Sequence, residues 1–589
     1  MNPSPIFEIS ERLKIIIFIL VGLFAIVFLR LLYLQVFKAS KYRNLANINS
    51  IRVIQKKAPR GNIFDRFGNK LVYNIPYYTV AVVPADVKNM EYIITRLSKI
   101  LSVSEEEIRV KLDKVNKTQV DPVIIKENLD SKIASIIEEE KHNLSGVLVI
   151  VEPKRMYMYG GLAFHTIGYI NEVTDMELLL NPSEYSMRDL IGRIGVEKEC
   201  DKFLRGKNGS IRVMVDASGR KYRLAGSSEP FKGKDITLTI NANIQKVAED
   251  SLAGKTGSII VMQPGSGDIL AIVSSPSPDL KKISMGLTKE EWESIFNSPR
   301  HPLYNRAIGG TYPFGSTFKV LTALAALETG DIDENTRFFC NGRFWYSTWD
   351  YGCWKKEGHG NVDIYRAIAE SCDVYFYNVG LRLGIDNIDK FASNFGLGEN
   401  TGIDISGEKK GLVPTPLWKE QKEGKPWFPG NTIQLSIGQG YLLATPLQML
   451  SLFNLVATGG VLYKPLVIKQ ISGADKPEFV SQPEITRSIK ISKKNIEIVK
   501  KALFLVVNSD KGTGSKSKVN GVNVAGKTAT VQNPHGKTHA AFIAFAPVES
   551  PSVSLIVFLE GEGEGGRDAA PIAKKILEAY FLNENNRVN

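Results

Sequence analysis

An uncharged apolar run near the amino terminus constrains this chain more than any other feature. Ile15–Leu29 reads IIIFILVGLFAIVFL, and the apolar pattern continues through Arg30 into LLYLQVF. Together these residues are long enough to cross a bilayer as a helix. No small-residue cleavage site follows the run, which favours an uncleaved anchor over a removable signal peptide. We therefore predict a short cytoplasmic tail over residues 1–14 and one transmembrane helix over residues 15–36.

The charges around this run do not orient it in the membrane. Basic residues precede it (Arg12, Lys14) and follow it (Arg30, Lys38, Lys41, Arg43). The formal net charge of +12 over 589 residues agrees with an anionic membrane surface or an anionic polymer as a neighbour. Nucleic acid is not expected as a partner, because the basic residues are scattered and no zinc-finger, basic-zipper or RNA-binding pattern occurs.

The rest of the chain is long enough for two or more domains. Residues 58–74 carry Pro, Gly and Asn turn signals, and the β-prone stretch YYTVAVVP follows. Residues 90–145 are predicted to be helical, with a capping box from Ser104 to Glu107. Residues 146–240 return to strand and turn signals.

The second half has the pattern of a separate α/β domain. A hairpin is predicted over residues 257–276, where two β-prone runs flank a Gly-Ser-Gly-Asp turn. An apolar helix is predicted to end at Gly330, with further helices over 363–382 and 445–457. The end of the chain predicts three successive strands and a helix (522–532, 539–548, 553–561, 570–581). Strands from both ends of this half around a helical middle indicate an α/β sandwich.

Three short motifs in this half carry the groups needed for serine acyl transfer. The first, Ser-Thr-Phe-Lys from Ser316 to Lys319, places a hydroxyl and an amine three residues apart on one helical face. A lysine can activate a serine if burial or a nearby positive charge lowers its pKa. The second is Ser-Cys-Asp from Ser371 to Asp373, and the third is Lys-Thr-Ala-Thr from Lys527. Taken singly, each has an ordinary interpretation: a helix start, a helix N-cap at Ser371, and an exposed strand.

In this order the motifs resemble those of the active-site serine penicillin-recognising enzymes, which are Ser-x-x-Lys, Ser-x-Asn and Lys-Thr-Gly. Longer stretches resemble class B penicillin-binding proteins, with the elongation-specific type most similar. They are PRGNIFDRFGNKL, HTIGYINEV and IGRIGVEKECDKFLRGKNG before the second half, and PLYNRAIGGTYPFGSTFK, SIGQGYLLATPLQ and GGRDAAPIAKKIL within it. The resemblance runs from the apolar anchor to the last predicted helix.

The resemblance implies a fold class and a division of the chain. Residues 241–585 are expected to form an α/β (α+β) transpeptidase domain of the penicillin-binding and β-lactamase-like type. Residues 37–240 are expected to form an elongated, mostly-β pedestal of the dimerisation type with a helical head.

The resemblance also implies an activity. It is that of a peptidoglycan D,D-transpeptidase, of the serine-type D-Ala-D-Ala transpeptidase and carboxypeptidase class, which cross-links stem peptides during cell elongation and is blocked by β-lactams. In such enzymes a serine attacks the penultimate D-Ala carbonyl, the terminal D-Ala leaves, and an amine on a neighbouring strand takes the acyl group. This acyl transfer needs no cofactor.

Matching positions carry the roles of the catalytic groups. Ser316 is expected to be the nucleophile and Lys319 its base, while Ser371 passes a proton to the leaving amine. Asp373, where most relatives have Asn, is expected to hydrogen-bond Lys319 or the peptide amide. Lys527 adds a second positive charge that favours a neutral Lys319.

The third motif is expected to bind the substrate. Lys527, Thr528 and Thr530 hold the terminal carboxylate by charge-assisted bonds, and the backbone N–H groups of Ser316 and Thr530 form the oxyanion hole. Ala529 stands where the family has Gly, and its methyl is expected to narrow the gap between the strand edge and a bound acyl chain.

Three other functions stay open at this point. A serine β-lactamase would need a deacylating carboxylate, and no Glu-x-x-Leu-Asn follows Ser371. A bifunctional polymerase would need a glycosyltransferase domain where residues 40–240 show pedestal-like motifs. A β-lactam sensor or a scaffold for a polymerase is compatible with Ala529.

The resemblance further implies ligands, partners and a location. The ligands are peptidoglycan stem peptides and β-lactams, and the partners are a RodA-type glycan polymerase and an MreC-like scaffold. Cross-linking takes place outside the cytoplasmic membrane, so residues from about 35 onward are expected to be extracytoplasmic, on the periplasmic side of a single-pass anchor.

Three of the four cysteines fall close together with one histidine. Cys340, Cys353, His359 and Cys372 are separated by 13, 6 and 13 residues, whereas Cys200 lies apart in the pedestal segment. An extracytoplasmic location permits disulfides, and a Cys₃His set is also a complete tetrahedral zinc site. A catalytic thiol is disfavoured because the serine motifs already account for the chemistry. The spacing alone leaves a disulfide and a metal site open.

The family resemblance favours the metal. Some elongation-type relatives carry zinc near the second motif on Asp, Asp, His and Cys ligands. The stretch CWKKEGHG resembles their Asp-Trp-Lys-Lys-x-Gly-His-Gly, with Cys353 in place of one Asp. Cys372 stands where their Cys does, and Cys340 falls near the remaining Asp. The implied cofactor is therefore one structural zinc per chain, which would hold Ser371 and Asp373 in place.

Overall fold

The structure is a computed structural model that describes residues 5–42, 51–113, 122–215, 221–473, 476–533 and 536–588. Within these residues the chain divides into two compact units. The first unit comprises residues 1–59, 75–154 and 207–231, and the second comprises residues 60–74, 155–206 and 232–589.

The helices of the described residues are α1 Pro5–Leu32, α2 Met90–Leu101, α3 Glu105–Asp113, α4 Ser131–Glu139, α5 Phe164–Ile167, α6 Asp175–Leu180, α7 Gly195–Glu199, α8 Asp201–Leu204, α9 Ala242–Ser251, α10 Leu280–Met285, α11 Lys289–Phe296, α12 Lys319–Thr329, α13 Ile364–Ala369, α14 Asp373–Asn394, α15 Pro416–Glu423, α16 Pro429–Ser436, α17 Pro446–Ala457, α18 Lys493–Asn508 and α19 Ala570–Val588.

The strands are β1 Ile51–Lys56, β2 Ile63–Phe64, β3 Lys70–Val82, β4 Val123–Leu129, β5 Val147–Tyr157, β6 Ile170–Glu172, β7 Leu190–Gly192, β8 Gly209–Val215, β9 Lys221–Ser228, β10 Ile236–Leu238, β11 Gly257–Met262, β12 Ile269–Ser275, β13 Phe338–Cys340, β14 Arg343–Tyr346, β15 Trp349–Gly352, β16 Gly360–Val362, β17 Val461–Tyr463, β18 Ile468–Ile471, β19 Phe479–Val480, β20 Ile485–Ser488, β21 Ala525–Val531, β22 His539–Ala546 and β23 Val553–Leu559.

The amino-terminal helix has the length and composition of a membrane span. The segment Leu13–Phe37 has a mean hydropathy of 3.1. Among the described residues it is the one helical segment that is long and apolar enough to cross a membrane. It comprises most of α1 and the π-helical turn Tyr33–Phe37, and its apolar side chains are exposed. Exposed apolar side chains along a whole helix are compatible with lipid as the surrounding medium.

The first unit combines an antiparallel sheet with a small helical subdomain. Strands β1, β8 and β9 pair in that order. Helices α2 to α4 pack with β4 and the end of β3 around a small apolar core (Val80, Ile93, Leu97, Ile125, Leu129). The Ser104 hydroxyl accepts the Glu107 N–H at 3.2 Å, which confirms the predicted helix start. The all-helical prediction for 90–145 is wrong at β4, whose apolar residues complete a sheet next to β3.

The second unit is built on an antiparallel sheet of five strands in the order β12-β11-β23-β22-β21. Strands β11, β22 and β23 are buried along their whole lengths, as expected for strands covered on both faces. Helices α9 and α19 pack on one face and α17 on the other. The predicted α/β sandwich is confirmed, and β21, which carries the third motif, lies at one edge of the sheet.

The helix predicted over 363–382 is interrupted. Helix α13 ends at Ala369 and α14 begins at Asp373, because Ser371 adopts a φ of 58°, which no α-helix contains. By contrast, α12 ends before Gly330 with a φ of 79°, as the sequence predicts for a glycine terminator. The predicted helix at 445–457 is confirmed as α17.

A buried charge network lies elsewhere in the second unit. Glu197 is fully buried and accepts bonds from Arg155 Nε at 2.7 Å and from Arg60 Nη2 at 2.9 Å. Arg60 Nη2 also lies 2.9 Å from Asp201 Oδ1. The three segments that supply these residues are distant in sequence, so the network joins the turn before β2, strand β5 and the helices α7 and α8.

Candidate active site and metal-binding cluster

Ser316 lies in a tight turn that presses against β21. The turn is the 3-10 helix Gly315–Thr317, and α12 begins three residues after Ser316 at Lys319. Gly315 has a φ of 52°, and a Cβ at this position would lie 2.9 Å from Val531 Cγ2. Glycine is therefore required both by the backbone and by the close approach of β21. Ser316 is partly exposed, whereas its neighbours Gly315 and Thr317 are buried.

Two buried lysines converge on the hydroxyl of Ser371. Lys527 Nζ donates to Ser371 Oγ at 2.8 Å, and Lys319 Nζ lies 3.4 Å from the same oxygen. Lys319 Nζ also lies 3.0 Å from the Ser371 carbonyl oxygen and 2.7 Å from Asp373 Oδ1. The structure thus brings members of all three motifs to one point.

Ser371 is held in a conformation that is unusual for serine. Its φ of 58° is in the left-handed region, which costs a residue with a Cβ free energy. The ordinary interpretation of Ser371 alone, a helix N-cap, does not apply, because the N-cap of α14 is Cys372. The turn instead points both the carbonyl and the hydroxyl of Ser371 at Lys319 Nζ. Backbone strain of this kind is typical of functional positions.

The pKa of Lys527 is lowered well below its usual value. The main cause is burial, which disfavours the charged amine, and the positive charge of Lys319 lowers it further while Asp373 opposes the change. The sequence predicted that the charge of Lys527 would favour a neutral Lys319, whereas the lysine whose pKa is lowered in the structure is Lys527.

The remaining residues of β21 alternate between its two faces. Ala529 is 2 % exposed and lies on the same face as Lys527, where its Cβ would be 3.9 Å from a Cβ at Gly315. The methyl fills space beside the nucleophile turn, and the expectation that it narrows the gap between the strand edge and a bound acyl chain stays a prediction. Thr528 is buried and donates to Thr513 Oγ1 at 2.8 Å, whereas Thr530 is exposed and accepts the Gly565 N–H at 3.2 Å.

The predicted Cys₃His set forms a buried cluster. The ligand atoms of Cys340, Cys353, His359 and Cys372 all lie within 4.8 Å of one another, and all four side chains are buried. His359 Nδ1 is 3.5 Å from Cys340 Sγ and 3.6 Å from Cys353 Sγ. Tetrahedral zinc with sulfur and nitrogen ligands separates such atoms by about 3.6 Å. The residues present therefore fit a metal ion.

The chemistry of the cluster agrees with this fit. All four cysteines of the chain are free thiols, and Cys200 is buried apart from the other three. A hydrogen bond from the Cys372 thiol lowers the pKa of Cys353 although burial opposes this change, and the same bond raises the pKa of Cys372 together with burial. A thiolate is the form that binds metals. His359 Nε2 is buried without a hydrogen-bond partner among the described residues, which leaves Nδ1 directed at the sulfurs.

Comparison with known proteins places this arrangement in a family. Residues 257–578 match the model of the penicillin binding protein transpeptidase domain, and residues 55–238 match that of the penicillin-binding protein dimerisation domain. The peptidoglycan D,D-transpeptidase MrdA of Acinetobacter baumannii is 33% identical over 98% of this chain and 89% of its own length. This chain belongs to the penicillin-binding protein transpeptidases.

Solved structures of the family have the same fold. Penicillin-binding protein PBP2 of Helicobacter pylori, in its complex with MreC, superposes with a TM-score of 0.79 at 28% identity, covering 90% of this chain and 99% of that one. A peptidoglycan synthase complex that coordinates polymerization and crosslinking superposes with a TM-score of 0.75 at 26% identity, covering 97% and 98%. The PBP2-type fold implied by the sequence is therefore confirmed.

Sequence reasoning missed three residues that position the motifs of this transpeptidase. The Trp354 N–H donates to Asp373 Oδ2 at 3.0 Å, Thr513 receives the Thr528 hydroxyl, and the Gly438 carbonyl accepts the Gly315 N–H at 2.9 Å. Gly438 lies in the stretch SIGQGYLLATPLQ, so the resemblance pointed to it without a role. Trp354 lies in the stretch CWKKEGHG, where the resemblance likewise gave it no role, and Thr513 lies outside the stretches that the resemblance marked.

Proposed function

We propose that this protein is a peptidoglycan D,D-transpeptidase whose nucleophile is Ser316. The observation that carries the proposal is the convergence of two buried lysines on Ser371 Oγ. Lys319 begins the helix that follows the turn of Ser316, and Lys527 lies on the strand that packs against this turn. A hydroxyl between two amines provides a short path for a proton, which acyl transfer from an amide requires twice.

The first half-reaction forms an acyl-enzyme. Ser316 Oγ attacks the carbonyl carbon of the penultimate D-Ala, and its proton passes to Lys319 Nζ. The oxyanion of the tetrahedral intermediate accepts hydrogen bonds from the backbone N–H groups of Ser316 and Thr530. The C–N bond then breaks, and the proton returns through Ser371 Oγ to the departing D-Ala amine. Asp373 stabilises the lysine charge through its contact with Lys319 at 2.7 Å.

The second half-reaction runs the same proton path in reverse. An amine from a neighbouring stem peptide attacks the ester and gives up its proton, and Ser316 Oγ leaves with a proton from the lysine pair. In the first half-reaction, before the terminal D-Ala leaves, its carboxylate would lie at the edge strand β21, where Lys527, Thr528 and Thr530 would hold it by charge and hydrogen bonds. Thr530 is exposed and ready for this contact, whereas Thr528 would exchange its bond to Thr513 for the carboxylate.

Mass mapping of the acylated residue tests this proposal. Full-length protein treated with penicillin is expected to gain one covalent adduct, on the peptide that contains Ser316, because water releases the acyl-enzyme slowly. With a lipid-linked glycan substrate and an added polymerase, the same protein is expected to form cross-linked peptide dimers. An adduct on another residue, or rapid turnover of penicillin, would contradict the assignment.

We further propose that the Cys₃His cluster binds one zinc ion with a structural role. Cys340, Cys353, His359 and Cys372 would hold it, and the bound ion would supply four strong bonds that tie three loops together. Cys353 precedes Trp354, whose N–H contacts Asp373, and Cys372 lies between Ser371 and Asp373. Through these neighbouring residues, the metal-bound cluster would hold the second motif in its conformation.

Zinc analysis of protein prepared without chelator is expected to find about one ion per chain. Cys353→Ser is expected to lose most of the zinc and to unfold at a lower temperature, because a thiolate ligand is removed from a buried site. Cys200→Ser removes a buried thiol outside the cluster and is the matched control, expected to retain the zinc. Retention of zinc by Cys353→Ser, or a disulfide between two cluster cysteines, would disprove the site.

The domain division, location and partners of the chain are also proposed. We infer a tail over 1–14, an anchor over 15–36, a pedestal over 37–240 and a transpeptidase domain over 241–585, supported by the two family matches. The anchor would lie in the cytoplasmic membrane with the rest of the chain outside, where the substrate is. The relatives solved with MreC and in a peptidoglycan synthase complex support an MreC-like scaffold and a RodA-type polymerase as partners.

A further inference from the structure

A two-stranded hairpin next to the second motif exposes an unusual density of tryptophan. Strands β14 and β15 pair with Arg343 opposite Gly352 and Trp345 opposite Asp350. The chain has six tryptophans, and three of them (Trp345, Trp349, Trp354) lie within this hairpin and the residues that follow it. All three are more than half exposed, although tryptophan is usually largely buried.

The two faces of the hairpin differ in their surroundings. The inner face packs on the body of the second unit, where Phe344 and Tyr351 contact the ring of Tyr377 at centroid distances of 5.7 Å. Tyr377 lies one turn after Asp373 in α14, and its hydroxyl donates to the Gly352 carbonyl at 3.0 Å. The hairpin is thus fixed to the helix that begins at the second motif.

The outer face is exposed at every position. It presents Trp345, at 62 % exposure, beside the ion pair of Arg343 with Asp350, and then Gly352, which has no side chain. Trp354 follows two residues later at 59 % exposure. Its ring is held by a bond from Nε1 to the Glu370 carbonyl and by contact with His359.

The composition of this row indicates the chemistry of its ligand. Between residues 339 and 354 every large apolar side chain that is exposed is aromatic, and none is aliphatic. Flat rings stack on the C–H faces of sugar rings, and a neighbouring arginine and carboxylate supply both donors and acceptors for hydroxyl and acetamido groups.

We propose that the outer face of this hairpin and the Trp354 side chain that follows it (Arg343, Trp345, Asp350, Gly352 and Trp354) bind the glycan of the substrate, a β-1,4-linked chain of N-acetylated amino sugars. The inference rests on the proposed function, because the stem peptide is attached to such a chain. The Trp354 N–H contacts Asp373, so the row ends beside the catalytic groups. A sugar stacked on this face would bring its own stem peptide to Ser316.

Binding of a peptide-free oligosaccharide tests the glycan site separately from catalysis. Full-length protein labelled with fluorotryptophan is titrated with the N-acetylglucosamine hexamer in a sugar-free detergent and followed by fluorine NMR. The resonances of Trp345 and Trp354 are expected to shift saturably.

Trp345→Ala is expected to weaken binding of the hexamer about tenfold. Trp349→Ala, which removes an equally exposed indole from the inner face at the hairpin tip, is the matched control, and its affinity is expected to stay within about twofold.

Two results would overturn the glycan site. One is the absence of a saturable shift, including the case in which phospholipid vesicles shift the Trp345 resonance instead. The other is a loss of sugar binding in Trp349→Ala rather than in Trp345→Ala. Arg343→Ala provides a second variant on an exposed position that carries no packing, and it is expected to weaken binding as well. Failure of penicillin to acylate the unmodified protein would count against the proposed function, whereas these outcomes concern the glycan site alone.

Discussion

Lys319→Met is expected to lower the rate of acylation by penicillin by about 10³-fold or more, the range for loss of a general base. Lys319 is fully buried and contacts Asp373, the Ser371 carbonyl and the Ser371 hydroxyl. Methionine fills a similar volume but cannot accept the proton of Ser316. Stopped-flow measurement with a fluorescent penicillin gives the rate, and circular dichroism verifies that the variant is folded.

Lys319→Arg separates the proton-accepting role of this lysine from its charge. A guanidinium retains a positive charge opposite Asp373 but does not act as a base in proteins. If Lys319 is the base, this variant is expected to be about as slow as Lys319→Met. Near-normal acylation in Lys319→Arg would show that the charge alone matters, and Lys527, whose pKa is strongly lowered, would then be the better assignment for the base.

Much of the transpeptidase fold follows from local sequence patterns. The β-prone runs predict the strands β11, β22 and β23, and Gly330 marks the end of α12. Strand β4 was missed because its sequence VIIKENL lies between two helices and gains its strand structure from pairing with β3. Tertiary pairing overrides local propensity in such short segments.

The candidate site was predictable in its members and not in its geometry. Motif spacing identified Ser316, Lys319 and Lys527, and ligand types identified the Cys₃His set. The strained turn at Ser371 was not predictable, since serine has no preference for a φ of 58° and the contacts of Lys319 and Lys527 are what favour it. The orientation of the Ala529 methyl required the register of β21 against the Gly315 turn.

The buried network around Glu197 makes a second large effect expected. Burial raises the pKa of Glu197, but the charges of Arg155 and Arg60 outweigh burial and hold the pKa below its usual value. A carboxyl whose pKa is lowered by folding contributes stability above its unfolded pKa, near 4.5. That contribution is lost as the pH falls through the lower native value. The network should therefore stabilise the folded protein at neutral pH and lose this contribution in acid.

Glu197→Ala is expected to lower the free energy of unfolding by about 3–5 kcal/mol at neutral pH, because it leaves two buried guanidinium groups without their shared partner. Urea unfolding of the full chain, with the transition of the second unit assigned by its tryptophan fluorescence, measures the change. Glu484→Ala is the matched control, because Glu484 pairs with Lys464 at 3.3 Å on the surface and its loss should cost less than about 1 kcal/mol.

Glu197→Ala should also lose less stability than the parent when the pH falls from about 5 into the acid range, since the carboxyl group that titrates there is gone. Two results would mean that the network contributes no more than a surface pair. One is an equal loss of stability in Glu197→Ala and Glu484→Ala, and the other is a loss of stability on acidification that is as large in Glu197→Ala as in the parent.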